Sequence, residues 1–179
     1  MDKNKNLSIG ATFGIVIGLV YCALLFWRWE SSASFIKFAV IIFISYIIIL
    51  GTLFYEGFYR RKIEGGYIVL KDVFQTLFIS VLILELFYSI YNFIHLKYID
   101  PHTIERMKKV MIEMLDKAGD KVTDEQRADS LKRFDELQKA TQIGEIIKSY
   151  FTSVAITGVF ALIFSAIIKK KQPLVQENI

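Results

Sequence analysis

Four long blocks of apolar residues dominate the pattern of the chain. They cover residues 7–27, 35–55, 73–96 and 146–168, and neither proline falls inside a block. A helix of about 20 residues crosses the hydrocarbon core of a bilayer, and helices satisfy their own backbone hydrogen bonds in lipid. The blocks lack the alternation that is typical of membrane β-strands. The pattern therefore predicts an all-α integral membrane protein with four transmembrane helices in a single membrane domain over 1–179.

The segment 97–145 is charged and is predicted to form an extramembrane helical hairpin between helices three and four. Asp100 is expected to cap its first helix, Pro101 to occupy the first helical position and Gly119 to follow the last turn. "TDEQ" at 123–126 fits a capping box for the second helix. The predicted apolar faces consist of Ile104, Met107, Met111, Met114 and Ala118, then of Leu131, Phe134 and Leu137. These faces either pack on each other over the membrane or form a docking surface, since methionine-rich faces adapt to varied partners.

Basic residues beside the apolar blocks predict the orientation. "KKK" at 169–171 directly follows an apolar block and "RRK" at 60–62 begins five residues after the end of another, whereas the charges of 97–145 are dispersed. Because basic clusters next to membrane spans stay in the cytoplasm, both termini are expected to be cytoplasmic and the loop 97–145 periplasmic.

Composition agrees with a membrane protein. Hydrophobic residues make up 54% of the 179 residues, against about 45–50% in soluble domains. The formal net charge of +4 comes from lysines and arginines beside apolar blocks, so membrane orientation explains it and no nucleic-acid partner is predicted. Cys22 is the single cysteine, which excludes an intramolecular disulfide.

A polar stripe interrupts the third apolar block. On a helical wheel, Glu85, Tyr88, Ser89 and Asn92 share one face. An ionised carboxylate facing lipid is costly, so this face is expected to point to the bundle interior, a cavity or a partner. Three roles stay open: hydrogen bonding between helices, a partner-binding groove, and proton-linked transport. We find no second ionisable residue at depth in the other three blocks, which argues against a proton relay.

Small residues recur at four-residue spacing in the first and last blocks. The first file is Gly10, Gly14 and Gly18, and the second is Ser153, Thr157, Ala161 and Ser165. Small residues at this spacing let two helices approach closely. The two files are expected to pack against each other within one chain, and the alternative is pairing between chains.

Candidate catalytic chemistry is sparse. The sequence contains no Gly-rich phosphate loop and no nucleophile elbow. His102 and Glu105 lie three positions apart and His95 is nearby, but a metal site needs three or four converging ligands. We expect a capping or solvated histidine here, and we predict neither a metal nor a cofactor.

The layout as a whole resembles a known family. It combines a glycine-rich first span, a basic link that ends in "GGYIVLKDVFQ", a charged helical stretch and a last span that ends in "KKK". This pattern resembles the uncharacterised Bacteroidota membrane proteins catalogued as domain of unknown function 4199. The resemblance implies a bacterial inner-membrane location. It implies no activity and no catalytic residues.

These observations predict a non-enzymatic inner-membrane protein that acts as an accessory or assembly subunit of a membrane complex. The alternative is a small dimeric proton-coupled transporter or channel that uses Glu85. A third possibility is an enzyme that acts on a lipid-linked substrate. The expected partners are the lipid bilayer and either a second copy of the chain or another membrane protein.

Overall fold

The computed structural model describes residues 3–119 and 122–171, without the side chains of residues 3, 134–138 and 140. Six α-helices follow one another along these residues. They are α1 (Lys3–Glu30), α2 (Phe35–Ile63), α3 (Leu70–Ile94), α4 (Thr103–Ala118), α5 (Asp124–Gln138) and α6 (Ile143–Ile168). A π-helical turn, His95–Ile99, continues α3, and a short 3₁₀ turn, Lys139–Thr141, precedes α6.

Helices α1, α2, α3 and α6 are each long and apolar enough to cross a membrane. The predicted all-α fold with four such helices is therefore confirmed. The helices continue beyond the apolar blocks, most clearly in α2, which ends at Ile63 rather than near residue 55. Its last two turns carry Glu56 and Arg60, both buried against other helices. The helix continues because these polar side chains find partners inside the bundle.

Helix α3 is the centre of the bundle. Helices α1 and α6 pack on different sides of α3, and α2 contacts all three of the other long helices. A Cβ atom added at Gly10 would lie 2.5 Å from the carbonyl oxygen of Thr76, and one at Gly14 would lie 3.0 Å from Cα of Ser80. The glycine file therefore lets the backbones of α1 and α3 approach closely.

The prediction that the glycine file packs against the small residues of α6 is wrong. A Cβ added at Gly18 would meet the ring of Phe87 on α3 at 2.6 Å, so all three glycines lie against α3. On α6, Ala161 and Ser165 are buried, and Gly158 lies beside Phe78 of α3. Both small-residue faces are thus directed to the third span, which a comparison of the two files could not reveal.

The hairpin forms, but α4 begins two residues later than predicted. Its first residue is Thr103, preceded by His102, so Pro101 is outside the helix. Asp100 does not cap through its side chain, which instead accepts hydrogen bonds from Arg106. This guanidinium holds the pKa of the Asp100 carboxyl well below its usual range.

The other predicted ends of the hairpin helices agree with the structure. Gly119 follows α4 with a positive φ of 54°. Thr123 and Gln126 form the predicted capping box, because each side chain bonds the backbone N–H of the other at 3.1–3.2 Å. The predicted roles of Phe134 and Leu137 lie outside the described side chains.

The methionine face of α4 is directed to the bundle. Ile104, Met107 and Met111 pack against Trp29 and Leu96 at the ends of α1 and α3. Met114, one turn further, is exposed. The first half of α4 thus covers one end of the bundle, which we call the hairpin end.

The opposite end, which we call the link end, holds the start of α1 and the α2–α3 link. Ile68 of the link and Lys170 form an antiparallel backbone bridge with two hydrogen bonds of 2.9 and 3.0 Å. Arg61 donates to the carbonyl oxygen of Ile168 at 3.2 Å. The link between α2 and α3 is therefore tied to the chain that follows α6.

Candidate functional site

The four stripe residues of α3 face inward or lie partly covered. Glu85 and Ser89 are buried, and Tyr88 and Asn92 are half-buried. Oγ1 of Thr157 on α6 donates to the Glu85 carboxyl at 2.7 Å. Tyr88 stacks on Tyr21 of α1, with ring centroids 5.5 Å apart. The stripe thus contacts α1 on one side and α6 on the other.

Two cavities meet at Tyr88. The larger, of about 600 Å³, lies at the hairpin end and is also lined by Ser89 and Asn92; we call it the mouth cavity. The smaller, of about 70 Å³, is lined by Glu85 and by side chains of α2 and α6 that include the exposed Tyr46 and Ile156; we call it the inner cavity. Tyr88 lines both cavities. The polar stripe therefore extends from an open mouth to a carboxyl inside the bundle.

Arg28, near the end of α1, is a buried cation in the wall of the mouth cavity. The residue is 9% exposed, and its guanidinium lies 5.0 Å from the ring centroid of Trp29 and 5.8 Å from that of Tyr88. Nη2 of Arg28 and Nε1 of Trp29 both donate to Oδ1 of Asn92, at 3.3 and 2.9 Å. Nε of Arg28 and Oγ of Ser89 are buried and have no hydrogen-bond partner among the described residues. The apolar pattern of the sequence does not reveal this position, because the burial of Arg28 depends on Phe38 of α2 and Asn92 of α3.

Glu56 of α2 is a second buried carboxyl, and its position overturns the statement that only α3 carries an ionisable residue at depth. Its exposed fraction is 0%, and Oε1 lies 2.6 Å from Oγ of Ser80 on α3. A helical wheel of α2 could have identified Glu56, since this residue continues the buried face of Ser45, Ile49 and Leu53. Ending the second block at residue 55 excluded Glu56 from consideration.

The two short contacts of Ser80 depend on the protonation state of Glu56. Its Oγ is 2.7 Å from the carbonyl oxygen of Gly10, which only accepts, and 2.6 Å from Oε1 of Glu56. A hydroxyl has one proton to donate. Both contacts are hydrogen bonds at once only when Glu56 is protonated and donates to Ser80. In that state the proton of Glu56 links α2 to α3, and the hydroxyl proton of Ser80 links α3 to α1.

A polar cluster occupies the link end, one turn beyond Glu56 on α2. Arg60 is buried and donates to Oδ1 of Asn6 through Nε at 3.0 Å and through Nη2 at 2.7 Å. Arg60 and Lys5 both donate to Glu64, and these hydrogen bonds hold the pKa of its carboxyl below the usual range. The amide of Asn6 in turn donates to Asp72 on α3. The cluster therefore connects α1, α2 and α3.

The small residues predicted on α6 are distributed along this interior. Ser153 and Thr157 line the inner cavity, whereas Ala161 and Ser165 are buried nearer the link end. Oγ of Ser165 donates to the carbonyl of Ala161 in its own helix. Of the four, only Thr157 contacts the stripe through a hydrogen bond.

The histidines do not assemble a metal site. His102, which precedes α4, is exposed and lies 3.2 Å from Glu105. His95 is buried and stacks on Trp29 with ring centroids 5.4 Å apart. Within 3–119 and 122–171 no three His, Cys, Asp or Glu side chains converge in a way that fits a metal ion.

Four helices that are long and apolar enough to cross a membrane, together with the polar stripe of α3, are characteristic of a polytopic helical membrane protein. The chain belongs to a family described as a protein of unknown function, DUF4199, whose model matches residues 8–170. The match spans all four long helices and the hairpin, as the layout of the sequence predicted. Neither the comparison with curated proteins nor the comparison with solved structures found a match.

Proposed function

We propose that this chain is a non-enzymatic proton-coupled transporter whose buried carboxyls, Glu85 and Glu56, exchange the proton. The presence of Glu56 carries the proposal, because it supplies the second ionisable group at depth that a relay needs. Ser80, the partner of Glu56, is five residues from Glu85 on α3, which corresponds to about 7.5 Å along the axis. Intramembrane carboxyls that face a bundle interior are typical of proton pathways.

Access to the first carboxyl from the hairpin end supports the same proposal. The inner cavity around Glu85 has a volume of about 70 Å³. One water needs about 10–15 Å³ measured in this way, so the cavity has room for water beside the carboxyl. The side chain of Tyr88 lines both this cavity and the mouth cavity. We propose that a rotation of this ring connects Glu85 with the hairpin end.

The link end is closed by comparison. Arg60 and Asn6 fill the interior beyond Glu56 with hydrogen-bonded side chains. A bundle that has cavities at one end and a polar seal at the other corresponds to one of the two states of alternating access. Transport would require the Arg60–Asn6 contact to open while Tyr88 closes the mouth. We further propose that two copies form the transporter, since one bundle encloses little space around Glu85.

Proton flux into liposomes tests the proposal. Purified protein is reconstituted, an inside-negative potassium diffusion potential is imposed, and internal pH is followed with a trapped dye. Glu85→Gln preserves size and hydrogen bonding but removes the titratable proton, so we expect a folded variant without protein-dependent flux. Glu56→Gln should behave in the same way. Glu113→Gln, at an exposed position on α4, is the matched control and should keep wild-type flux.

A folded Glu85→Gln variant with wild-type flux contradicts proton coupling through this residue. A wild-type protein with no flux above empty liposomes contradicts proton conduction in the absence of a co-transported substrate. Elution volume in mild detergent and helical circular dichroism verify folding for each variant.

The second candidate is the accessory or assembly subunit. It is favoured by the contacts that both carboxyls already make inside the chain, Glu85 with Thr157 and Glu56 with Ser80. In that case they hold helices together, at about 0.6 kcal/mol for each interhelical bond. A stoichiometric unrelated membrane protein in a mild-detergent pull-down, retained by both Gln variants, supports the subunit over the transporter.

We also propose a bacterial inner-membrane location with both termini in the cytoplasm and residues 97–145 in the periplasm. The proposal is supported by the basic clusters 60–62 and 169–171, which belong to the same end of the bundle as the start of α1. In a Cys22→Ala background, Glu125→Cys on α5 should react with an impermeant maleimide added to intact spheroplasts. Lys62→Cys should react only after lysis. The reverse labelling pattern contradicts the orientation.

A further inference from the structure

The mouth cavity contains a buried cation that lacks an anion. Within the described parts of the chain, no carboxylate oxygen lies within 4 Å of the Arg28 guanidinium. A buried charge is costly unless it is paired and fully hydrogen-bonded. Here three aromatic rings and one asparagine oxygen contact the guanidinium, and its Nε has no partner. An anion in the cavity would complete this site.

The cavity around this cation is built mainly from apolar side chains. Its walls combine Trp29, Phe38 and Tyr88 of the bundle with Ile104 and Met107 of α4. The volume of about 600 Å³ falls within the about 300–1,000 Å³ typical of small-molecule sites. Arg133 adds a second cation to the lining, and Glu145, the one carboxylate among the described lining side chains, lies 3.4 Å from Lys148.

We propose that the mouth cavity binds an amphiphile with one anionic head and an apolar tail. The carboxylate or phosphate head would accept hydrogen bonds from Arg28 and from the hydroxyl of Ser89. The tail would occupy the space between the aromatic rings and the Ile104–Met107 face of α4. This assignment rests on the unpaired guanidinium and the shape of the cavity, and it does not depend on proton flux through Glu85.

Tryptophan quenching provides a direct test, because Trp29 lines the cavity and Trp27 is exposed outside it. In a Trp27→Phe background, Trp29 is the single tryptophan. The protein is placed in phosphatidylcholine nanodiscs and titrated with 12-bromododecanoic acid. We expect saturable quenching by the acid and a Kd about tenfold higher for 12-bromododecanol, which lacks the charge. A Trp29→Phe variant that keeps Trp27 should quench only in proportion to the amphiphile dissolved in the bilayer.

Substitutions at Arg28 assign the head group to its guanidinium. Arg28→Gln should raise the Kd of the acid about tenfold, and Arg28→Lys should lie between Gln and wild type. Lys37→Gln removes an exposed cation from the first turn of α2, next to Phe38, and should leave the Kd unchanged. Equal affinity for acid and alcohol in the wild type overturns the proposal, and this comparison decides even if Arg28→Gln fails to fold.

Competition separates the two sources of such an anion. Displacement of the bromo acid by dodecyl phosphate but not by phosphatidylglycerol in the nanodisc assigns the site to single-chain amphiphiles. Displacement by both assigns it to the head group of bilayer lipids as well. If neither compound displaces the bromo acid, the anionic head is not what the cavity recognises and the proposal is wrong.

Discussion

Gly14→Leu should unfold in mild detergent at a temperature well below that of the wild type. A Cβ added at Gly14 would lie 2.9 Å from Cβ of Ile83 and 3.0 Å from Cα of Ser80, so even one methyl group meets backbone and branched side chain. Overpacking a close contact costs about 1–3 kcal/mol, and leucine adds three further carbons. The helices α1 and α3 would have to separate, and thermal denaturation followed by size-exclusion chromatography measures the loss.

Gly51→Leu is the matched control for this experiment. Gly51 lies in the middle of α2, and among the described residues no atom lies within 4 Å of a Cβ added there. Leucine has a higher helix propensity than glycine, so this variant should be as stable as the wild type or slightly more stable. Wild-type stability of Gly14→Leu would contradict the close approach of α1 to α3.

Arg60→Met should lower the free energy of unfolding by about 1–3 kcal/mol, the cost of leaving a buried hydrogen-bond acceptor without its donors. Arg60 is buried and makes three hydrogen bonds, two to Oδ1 of Asn6 and one to Glu64. Methionine fills part of the volume but donates nothing, so the buried oxygen of Asn6 loses both donors. Unfolding in mixed micelles with increasing denaturing detergent measures the difference.

Lys62→Met, at an exposed position two residues away, is the control and should be neutral. The pH dependence separates the two partners of Arg60. Because the pKa of Glu64 is depressed in the folded state, its contribution is present above the unfolded pKa and is lost as pH falls through the folded pKa. The difference between wild type and Arg60→Met should therefore shrink below about pH 4. A difference that does not change with pH would assign the whole effect to Asn6.

The four long helices were predictable because hydropathy is a local property of each segment. The end of α2 was not, because its last turns are polar in sequence and buried only through Asn6 of α1 and Ser80 of α3. The start of α4 was misplaced for a similar reason. Asp100 is a good capping residue in isolation, but Arg106 engages its carboxylate.

The candidate site was likewise predictable only in part. A helical wheel of α3 identifies the face that holds Glu85 and Ser89, because the periodicity lies within one helix. Which side chains meet that face depends on helix pairing, and the two small-residue files gave the wrong pair. Arg28 and Glu56 reach the site only because α1 and α2 pack beside α3. No count of charges along the sequence contains that information.

The central position of α3 has a consequence for how the chain is made. The ribosome delivers α1 to the membrane first, yet the surface that fits its glycine file belongs to the third span. During synthesis the glycine file of α1 can therefore pack on its partner surface only after α3 has been inserted. The backbone bridge between Ile68 and Lys170 forms later still, once the last span has left the ribosome. Assembly of the bundle is thus completed only after the last of the four spans has been inserted, and a truncation that removes Lys170 would leave the α2–α3 link without its final attachment.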